Sequence, residues 1–570
     1  MSTQVGTAFI DERKKHRLSI SVQLTLIFFL SYLILFFAMS LRPGIYDEGI
    51  ALTESMRVMA GKIPHRDFYF SYGPAQLYIL AALFKLFGTS ILVERLYGLC
   101  IESLLITSVY AIASFYCRKS IAVCASLVTF FWLLALLTDA GGSTTIPLSL
   151  INLIGTFLIL PLFLRDVSRW RLLLVGAIAG LATLFRYDTG IALLGIDTCV
   201  IAAAVYLRVS GTSNGLRAFG SALWPFLLGF VIVTLPPAIF YLSVAPLHPL
   251  IYDIFLFPSK YYYRGRALPF PPVTLKQIDN STIYSIVAIC GLSIYVLLRD
   301  HFITRSNGTA SRQNAPKQRS WQGFLIAFTL LTLAMYFKGF VRISLIQLYL
   351  SIIPALLVLA VLFEHKAEFV PAIRISIVCL AALFAFSAAW CSLRKVRDMY
   401  VQHASLLEEV LSFPGKTSSP LERNWCKTPN PLTRGICFLP DDDHIQTIES
   451  IDAHTQPGQQ LFVGLTRHDK IYANDNLIYF ATQRLPATGW SQFEPDLQNQ
   501  YGIQVEMVHE LQTNHPPYIV LDSEFDQSHE PNDSDKSSGV TLLDDYLRNK
   551  YQQVQTFGSL SIWQLRNAGS

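Results

Sequence analysis

Two adjacent carboxylates, Asp47 and Glu48, stand just beyond an apolar run that ends at Leu41, in the order Tyr46-Asp47-Glu48-Gly49. Either can cap the helix whose pattern begins near Ile50. Alternatively, one of them can take a proton from an attacking hydroxyl as a general base. Cations recur at comparable places. Arg186 lies between two apolar runs with Asp188 two residues away, either as a plain ion pair or as a functional charge. Lys338 and Arg342 bracket Gly339-Phe340-Val341. Arg264 and Arg266 end the stretch Lys260-Tyr261-Tyr262-Tyr263-Arg264-Gly265-Arg266, whose aromatics suit a headgroup belt and equally suit an anion or sugar site. Other chemistries lack their residues. Pro414-Gly415-Lys416-Thr417 resembles the end of a P-loop, but no glycine sits five before the lysine, and neither GxSxG nor HExxH occurs. No CxxC or Cys/His zinc spacing is present.

The elements that must hold these residues are set by hydropathy. Of 570 residues, 52% are hydrophobic and 15% charged, and the mean hydropathy is +0.40. Soluble domains carry about 25% charged residues, so this surface belongs in a bilayer. The net charge of +5 comes from basic residues scattered between apolar runs, with no nucleic-acid motif. Segments long enough to cross the hydrocarbon are 18–41, 91–116, 120–138, 145–164, 171–185, 189–207, 219–242, 281–298, 321–337, 343–363 and 370–391, eleven in all. The apolar stretch 73–87 is too short to span and reads as an interfacial or re-entrant helix. The run after Asp11-Glu12-Arg13-Lys14-Lys15-His16-Arg17 is about twice a signal-peptide core and is read as a retained span. Lysine and arginine concentrate in 1–17, 117–119, 165–170, 208–218, 299–320 and 364–369, which places those segments in the cytoplasm. The polar, basic stretch 299–320 is expected to be a flexible cytoplasmic loop. An odd number of spans then puts the C-terminus and a long loop, 42–90, outside.

From about 394 the composition turns polar, dividing the chain into a membrane domain, 1–393, and a small α/β domain, 394–570. Gln460–Leu465, Tyr518–Asp522 and Ser561–Leu565 read as strands, Asp441–His454 and Leu542–Tyr551 as helices, and Gln527–Ser538 as a loop. Seven cysteines sit in or beside apolar runs. Cys426 and Cys437 are the pair in the polar region, and in an extracytoplasmic domain they can form a disulfide.

Between Ile50 and Gly98 the chain reads as an amphipathic helix, a Gly-Lys-Ile-Pro turn, Arg66-Asp67-Phe68, then Tyr72-Gly73-Pro74 and an apolar segment. Together with Asp47-Glu48-Gly49, this stretch resembles the GT-C superfamily of membrane glycosyltransferases. The nearest group is the protein O-mannosyltransferases and the bacterial enzymes that decorate lipopolysaccharide. The resemblance covers 18–120, with Arg186-Tyr187-Asp188-Thr189-Gly190 a second patch and His515-Pro516-Pro517-Tyr518-Ile519-Val520-Leu521-Asp522 a third. It implies a polytopic α-helical GT-C-like fold and inverting transfer of one sugar from a polyprenyl-phosphate donor to a glycan, lipid or protein acceptor. The setting it implies is the outer face of the cytoplasmic membrane. It also implies Asp47 as base, Glu48 as second choice, and Asp139, at the end of the third span, as a further acid, although an ordinary loop residue fits Asp139 as well. The donor phosphate calls for positive charge, for which Arg186, Lys338, Arg342, Arg264 and Arg266 are the candidates. Related sequences often have an aspartate and a histidine after the arginine of the 338–342 loop. Here those places hold Ser344 and Gln347. The resemblance leaves a divalent metal open. Two rival readings are a lipid-linked glycan transporter, which would rest on Glu102 inside a span, and a non-catalytic scaffold, for which neither Asp47 nor Glu48 matters.

Overall fold

The computed structural model describes residues 2–136, 145–209, 215–306, 315–401, 405–411 and 424–566. The apolar runs form helices, because in hydrocarbon each backbone polar group must bond within its own segment. In chain order these are α1 (Ser2–Phe37), α2 (Asp47–Met59), α3 (Ala75–Phe87), α4 (Ile91–Tyr116), α5 (Lys119–Leu136), α6 (Thr145–Ile159), α7 (Arg169–Phe185), α8 (Tyr187–Val209), α9 (Gly215–Val244), α10 (Ser281–Ser306), α11 (Ala315–Gly339), α12 (Tyr349–Glu364) and α13 (Pro371–Val401). Eight are long and apolar enough to cross a membrane: α1, α4, α6 with its short continuation to Phe163, α8, α9, α10, α11 and α13. The other three expected spans, α5, α7 and α12, are shorter helices of 18, 17 and 16 residues. Helices α2 and α3, 13 residues each, are the two pieces of the long first loop.

Helix α12 runs through the middle of the bundle and is buried along nearly its whole length. Helices α7 and α9 cross at backbone contact: a methyl group on Gly176 would strike the Phe226 carbonyl, and one on Gly229 the Leu173 carbonyl. Close approach through small residues is a usual way for membrane helices to gain packing. The stretch 299–320 is less of a loop than its composition suggests. It is helical to Ser306 and again from Ala315, while 307–314 lie outside the described residues.

Helix α13 has 31 residues, about 46 Å at 1.5 Å per residue, against a hydrocarbon core of about 30 Å. It therefore projects beyond the bundle toward the C-terminal domain. That domain adds α14 (Asp442–His454), β1 (Gln460–Leu465), α15 (Leu477–Thr482), β2 (Leu485–Pro486), α16 (Tyr501–Asn514), β3 (Tyr518–Asp522), α17 (Leu542–Lys550), β4 (Tyr551–Phe557) and β5 (Leu560–Leu565). The sheet order is β2-β1-β3-β5-β4. Strand β1 is parallel to β2 and β3, while β5 is antiparallel to β3 and β4. Alternate residues of β1 face opposite cores: Phe462 packs with Met507, Leu511 and Leu543, and Val463 with Ile451, Ile478 and Ile562. Both strand segments expected at 460 and 518 form. Strand β4 is a solvated edge partner whose glutamine-rich sequence hides it. A disulfide joins Cys426 to Cys437, and its loop meets the bundle through Ile91 N–H to the Pro431 carbonyl at 3.3 Å and Leu439 N–H to the Leu41 carbonyl at 2.9 Å.

Candidate active site

Helix α2 begins at Asp47, and the residue before it, Tyr46, supplies no side-chain cap. Both carboxylates of the pair thus occupy the first turn, where the helix dipole favours negative charge. They then diverge. Glu48 is buried and accepts both Nε and one Nη of Arg95 on α4, the latter at 2.8 Å, together with the Gly44 N–H. Its lone pairs are committed to holding α2 against α4. Asp47 makes no hydrogen bond or ion pair among the described residues. Its side chain is exposed to solvent, with protein groups packed closely around it. Burial pushes its carboxyl above the usual carboxylate range, and the Glu494 carboxylate pushes the same way. Arg266, Arg342 and Arg186 pull against them. A free carboxylate within electrostatic reach of Arg266, Arg342 and Arg186 is suited to proton abstraction.

The glycine after the pair has a physical reason. A methyl group on Gly49 would stand 2.8 Å from the Leu477 N of α15, so the C-terminal domain lies directly on α2 here. The Asn476 N–H donates to the Ile45 carbonyl at 3.0 Å, and Thr53 Oγ1 to the Asn476 carbonyl at 2.8 Å. The turn Tyr72-Gly73-Pro74 is fixed the same way against the bundle: Gly73 N–H donates to the Phe185 carbonyl at 3.1 Å, with no room for a side chain on Gly73 beside Leu184. That docking brings the Tyr72 ring beneath Arg186, whose guanidinium carbon lies 4.6 Å from the ring centroid. The thin break between the expected spans near 171–207 is the single residue Arg186, in extended conformation between α7 and α8. It bonds Asp188 at 3.0 Å.

A cavity of about 230 Å³ opens here, lined among others by Tyr72, Arg186, Tyr187, Tyr262, Lys338 and Arg342. Three of the five cation candidates therefore share one chamber. Asp188 and Tyr69 also line it. Lys338 Nζ has no hydrogen bond or ion pair among the described residues, and the Asp188 carboxylate in the same chamber is the acid that offsets part of its charge. Arg342 is bound twice by Glu530 of the C-terminal domain, once at 2.7 Å. Arg266 is not a lining residue. It forms a buried pair with Glu494 at 2.6 Å and bonds Tyr46 Oη at 3.1 Å, directly beside Asp47 in sequence. Arg264 is exposed and outside the chamber. Asp139 lies outside the described residues. Among the described residues no group of three or more histidine, cysteine or acidic side chains is placed to hold a metal ion.

The C-terminal domain also supplies a wall. Tyr69 N–H donates to the Gly489 carbonyl at 2.9 Å, and Trp490 stacks on Tyr69 at 5.7 Å. Sequence reasoning offered Tyr262, within the 260–266 stretch, for an anion or sugar site, and did not single out Tyr69, Glu494 or Glu530. The two glutamates read as ordinary acids of a soluble domain, and their partners lie 228 and 188 residues away.

These features stand on an architecture already seen in solved structures. ArnT from Cupriavidus metallidurans bound to undecaprenyl phosphate aligns at a TM-score of 0.54 and 14% identity, over 95% of this chain and 98% of that one. Its apo form aligns at 0.50 over the same shares. The oligosaccharyltransferase AglB from Archaeoglobus fulgidus, with an inhibitory peptide and a dolichol-phosphate, aligns at 0.46 and 12% identity over 88% of this chain and 70% of that one. No protein-family model matches the sequence, and no curated protein matches it. The chain is an integral membrane protein that shares its fold with ArnT. Identity of 14% carries the architecture; substrate and acceptor must be argued from the site.

Proposed function

We propose that this protein is an inverting glycosyltransferase that moves one monosaccharide from a polyprenyl-phosphate donor to a surface glycan, lipid or protein. The site would face out of the cytoplasmic membrane, with the N-terminus inside. The observation that carries the reading is the free carboxylate of Asp47, which does not line the chamber but lies within electrostatic reach of two of its cations, Arg186 and Arg342. Asp47 takes the proton of the acceptor hydroxyl as its oxygen attacks the anomeric carbon. The bond from that carbon to the donor phosphate oxygen breaks. The leaving phosphate is already an anion and needs no acid, and the three cations stabilise it. The aromatic walls, Tyr72, Tyr187 and Tyr262, suit the sugar ring and the first isoprene unit. ArnT, the fold neighbour bound to undecaprenyl phosphate, supports a lipid phosphate in this chamber. Glu48 acts through Arg95 by fixing the helix that carries Asp47. The residues present form no cage for a divalent ion among the described positions, so no step here runs through one.

The reading is tested with membranes containing the protein and a panel of labelled polyprenyl-phosphate sugars. Label must appear in the acceptor fraction with stoichiometric polyprenyl phosphate. Label that crosses the bilayer still attached to its lipid would instead establish the transporter reading. Failure of every donor to react would remove the enzyme reading.

A further inference from the structure

A second cavity, of about 580 Å³, lies on the seam between the bundle and the C-terminal domain. Its wall joins three distant parts of the chain: Thr89 of the turn between α3 and α4, the disulfide loop with Lys427, Thr428, Thr433 and Arg434, and Gln483 after α15. Among the described residues no carboxylate lines it, whereas two cations and several hydroxyl and amide groups do. Among the described residues neither Lys427 nor Arg434 has an ion pair. Arg434 is exposed, with its guanidinium against the turn before α4. A methyl group on Gly88, which has φ +89, would stand 2.9 Å from the Arg434 Cζ, so only glycine leaves the guanidinium room there. The Cys426–Cys437 bridge closes the loop that carries both cations. Two neighbouring positive charges, with no acid among the described residues paired to them, make a site for an anion.

The surroundings decide what kind of anion. Leu86 and Phe87, immediately before Gly88, are 75% and 67% exposed, and α4, a membrane span, starts three residues later at Ile91. The cavity thus sits at the membrane surface with bare apolar side chains beside it. It is not the Asp47 site: Gln483 touches Met56 at the last turn of α2, about 14 Å along that helix from Asp47 at 1.5 Å per residue. We propose that this cavity binds the phosphate head group of an anionic lipid, whose acyl chains lie over Leu86 and Phe87, so that one lipid clamps the disulfide loop to the bundle.

The test uses the full-length protein in a neutral detergent, with phosphatidic acid, phosphatidylcholine and glycerol 3-phosphate as probes. Binding is followed by native mass spectrometry and thermal unfolding. Phosphatidic acid should bind wild type about tenfold more tightly than the Lys427→Gln/Arg434→Gln double variant and raise the Tm of wild type more. Any lipid held in the Arg186 chamber contributes equally to both proteins and drops out of the comparison. Should the double change lower the lipid-free Tm, Lys427→Gln alone, at an exposed position, gives the same comparison with a ratio of about three. Equal affinity of wild type and variant for phosphatidic acid overturns the site. Equal preference for phosphatidylcholine overturns the head-group charge, and glycerol 3-phosphate binding as tightly as phosphatidic acid overturns the lipid.

Discussion

Asp47 and Glu48 differ by one methylene and one position, yet the fold treats them in opposite ways. Glu48 is locked to Arg95, and Asp47 is left free. Glu48→Gln leaves Arg95 buried without its main counter-charge and should cost about 3–5 kcal/mol, read as a fall in Tm. Replacing Arg95 as well should recover part of that loss, since the pair acts as a unit. Asp47 makes a different prediction. Its carboxyl is raised in the folded protein, so the fold binds that proton more tightly than the unfolded chain does. The resulting stability is present below the unfolded value and lost as pH rises through the folded one. Asp47→Asn removes this cost, and at neutral pH the variant should melt higher than wild type, the trade expected when a site residue is held at the expense of stability. A base must also be ionised, so kcat/KM should rise with pH through the raised value. Glu494→Gln, which removes one upward push and frees Arg266, should move that limb to lower pH. The Asp-Glu pair itself was legible in the sequence. Its division of labour was not, because the Arg95 partner is set by how α2 packs on α4.

The elements that build the site are held by backbone contacts that glycine permits. At Gly49 an alanine methyl would press on the backbone of α15 at 2.8 Å, with no flexible side chain able to yield. Gly49→Ala should therefore cost about 1–3 kcal/mol and loosen the C-terminal domain, seen as a lower Tm and faster proteolysis between the domains. Gly195→Ala, in α8 with nothing within 4 Å of the added atom, is the control and should be neutral or slightly stabilising. At this scale the sequence was read well wherever a run was long and periodic. The apolar segments became helices, and the two valine- and leucine-rich strands, β1 and β3, fell where short buried apolar runs placed them. It was read poorly where a segment owes its form to a partner. Strand β4, Tyr-Gln-Gln-Val-Gln-Thr-Phe, has a polar exposed face and is a strand because β5 pairs with it. The irregular arm 247–266, with its π-helical turns, carries Tyr262 into the chamber; its tyrosine-arginine composition left a headgroup belt and a site equally open.

At the scale of the whole molecule, a membrane bundle and an α/β domain make one site between them. Arg342 and Arg266 belong to the bundle, Glu530 and Glu494 to the domain, and the disulfide loop stitches the seam. The proposed orientation puts that seam in an oxidising compartment. A membrane-impermeant thiol reagent should then label neither Cys426 nor Cys437 until reductant is added, and a reporter fused after Ser570 should be active only outside the cytoplasm. The account stands most directly on Asp47 as the proton acceptor in sugar transfer. The decisive measurement compares wild type with Asp47→Asn for transfer from labelled polyprenyl-phosphate sugar, and for binding of polyprenyl phosphate, in the same membranes. The account predicts unchanged lipid-phosphate binding and transfer reduced by about 10²–10⁴-fold in the variant. Transfer at the wild-type rate by Asp47→Asn would contradict it.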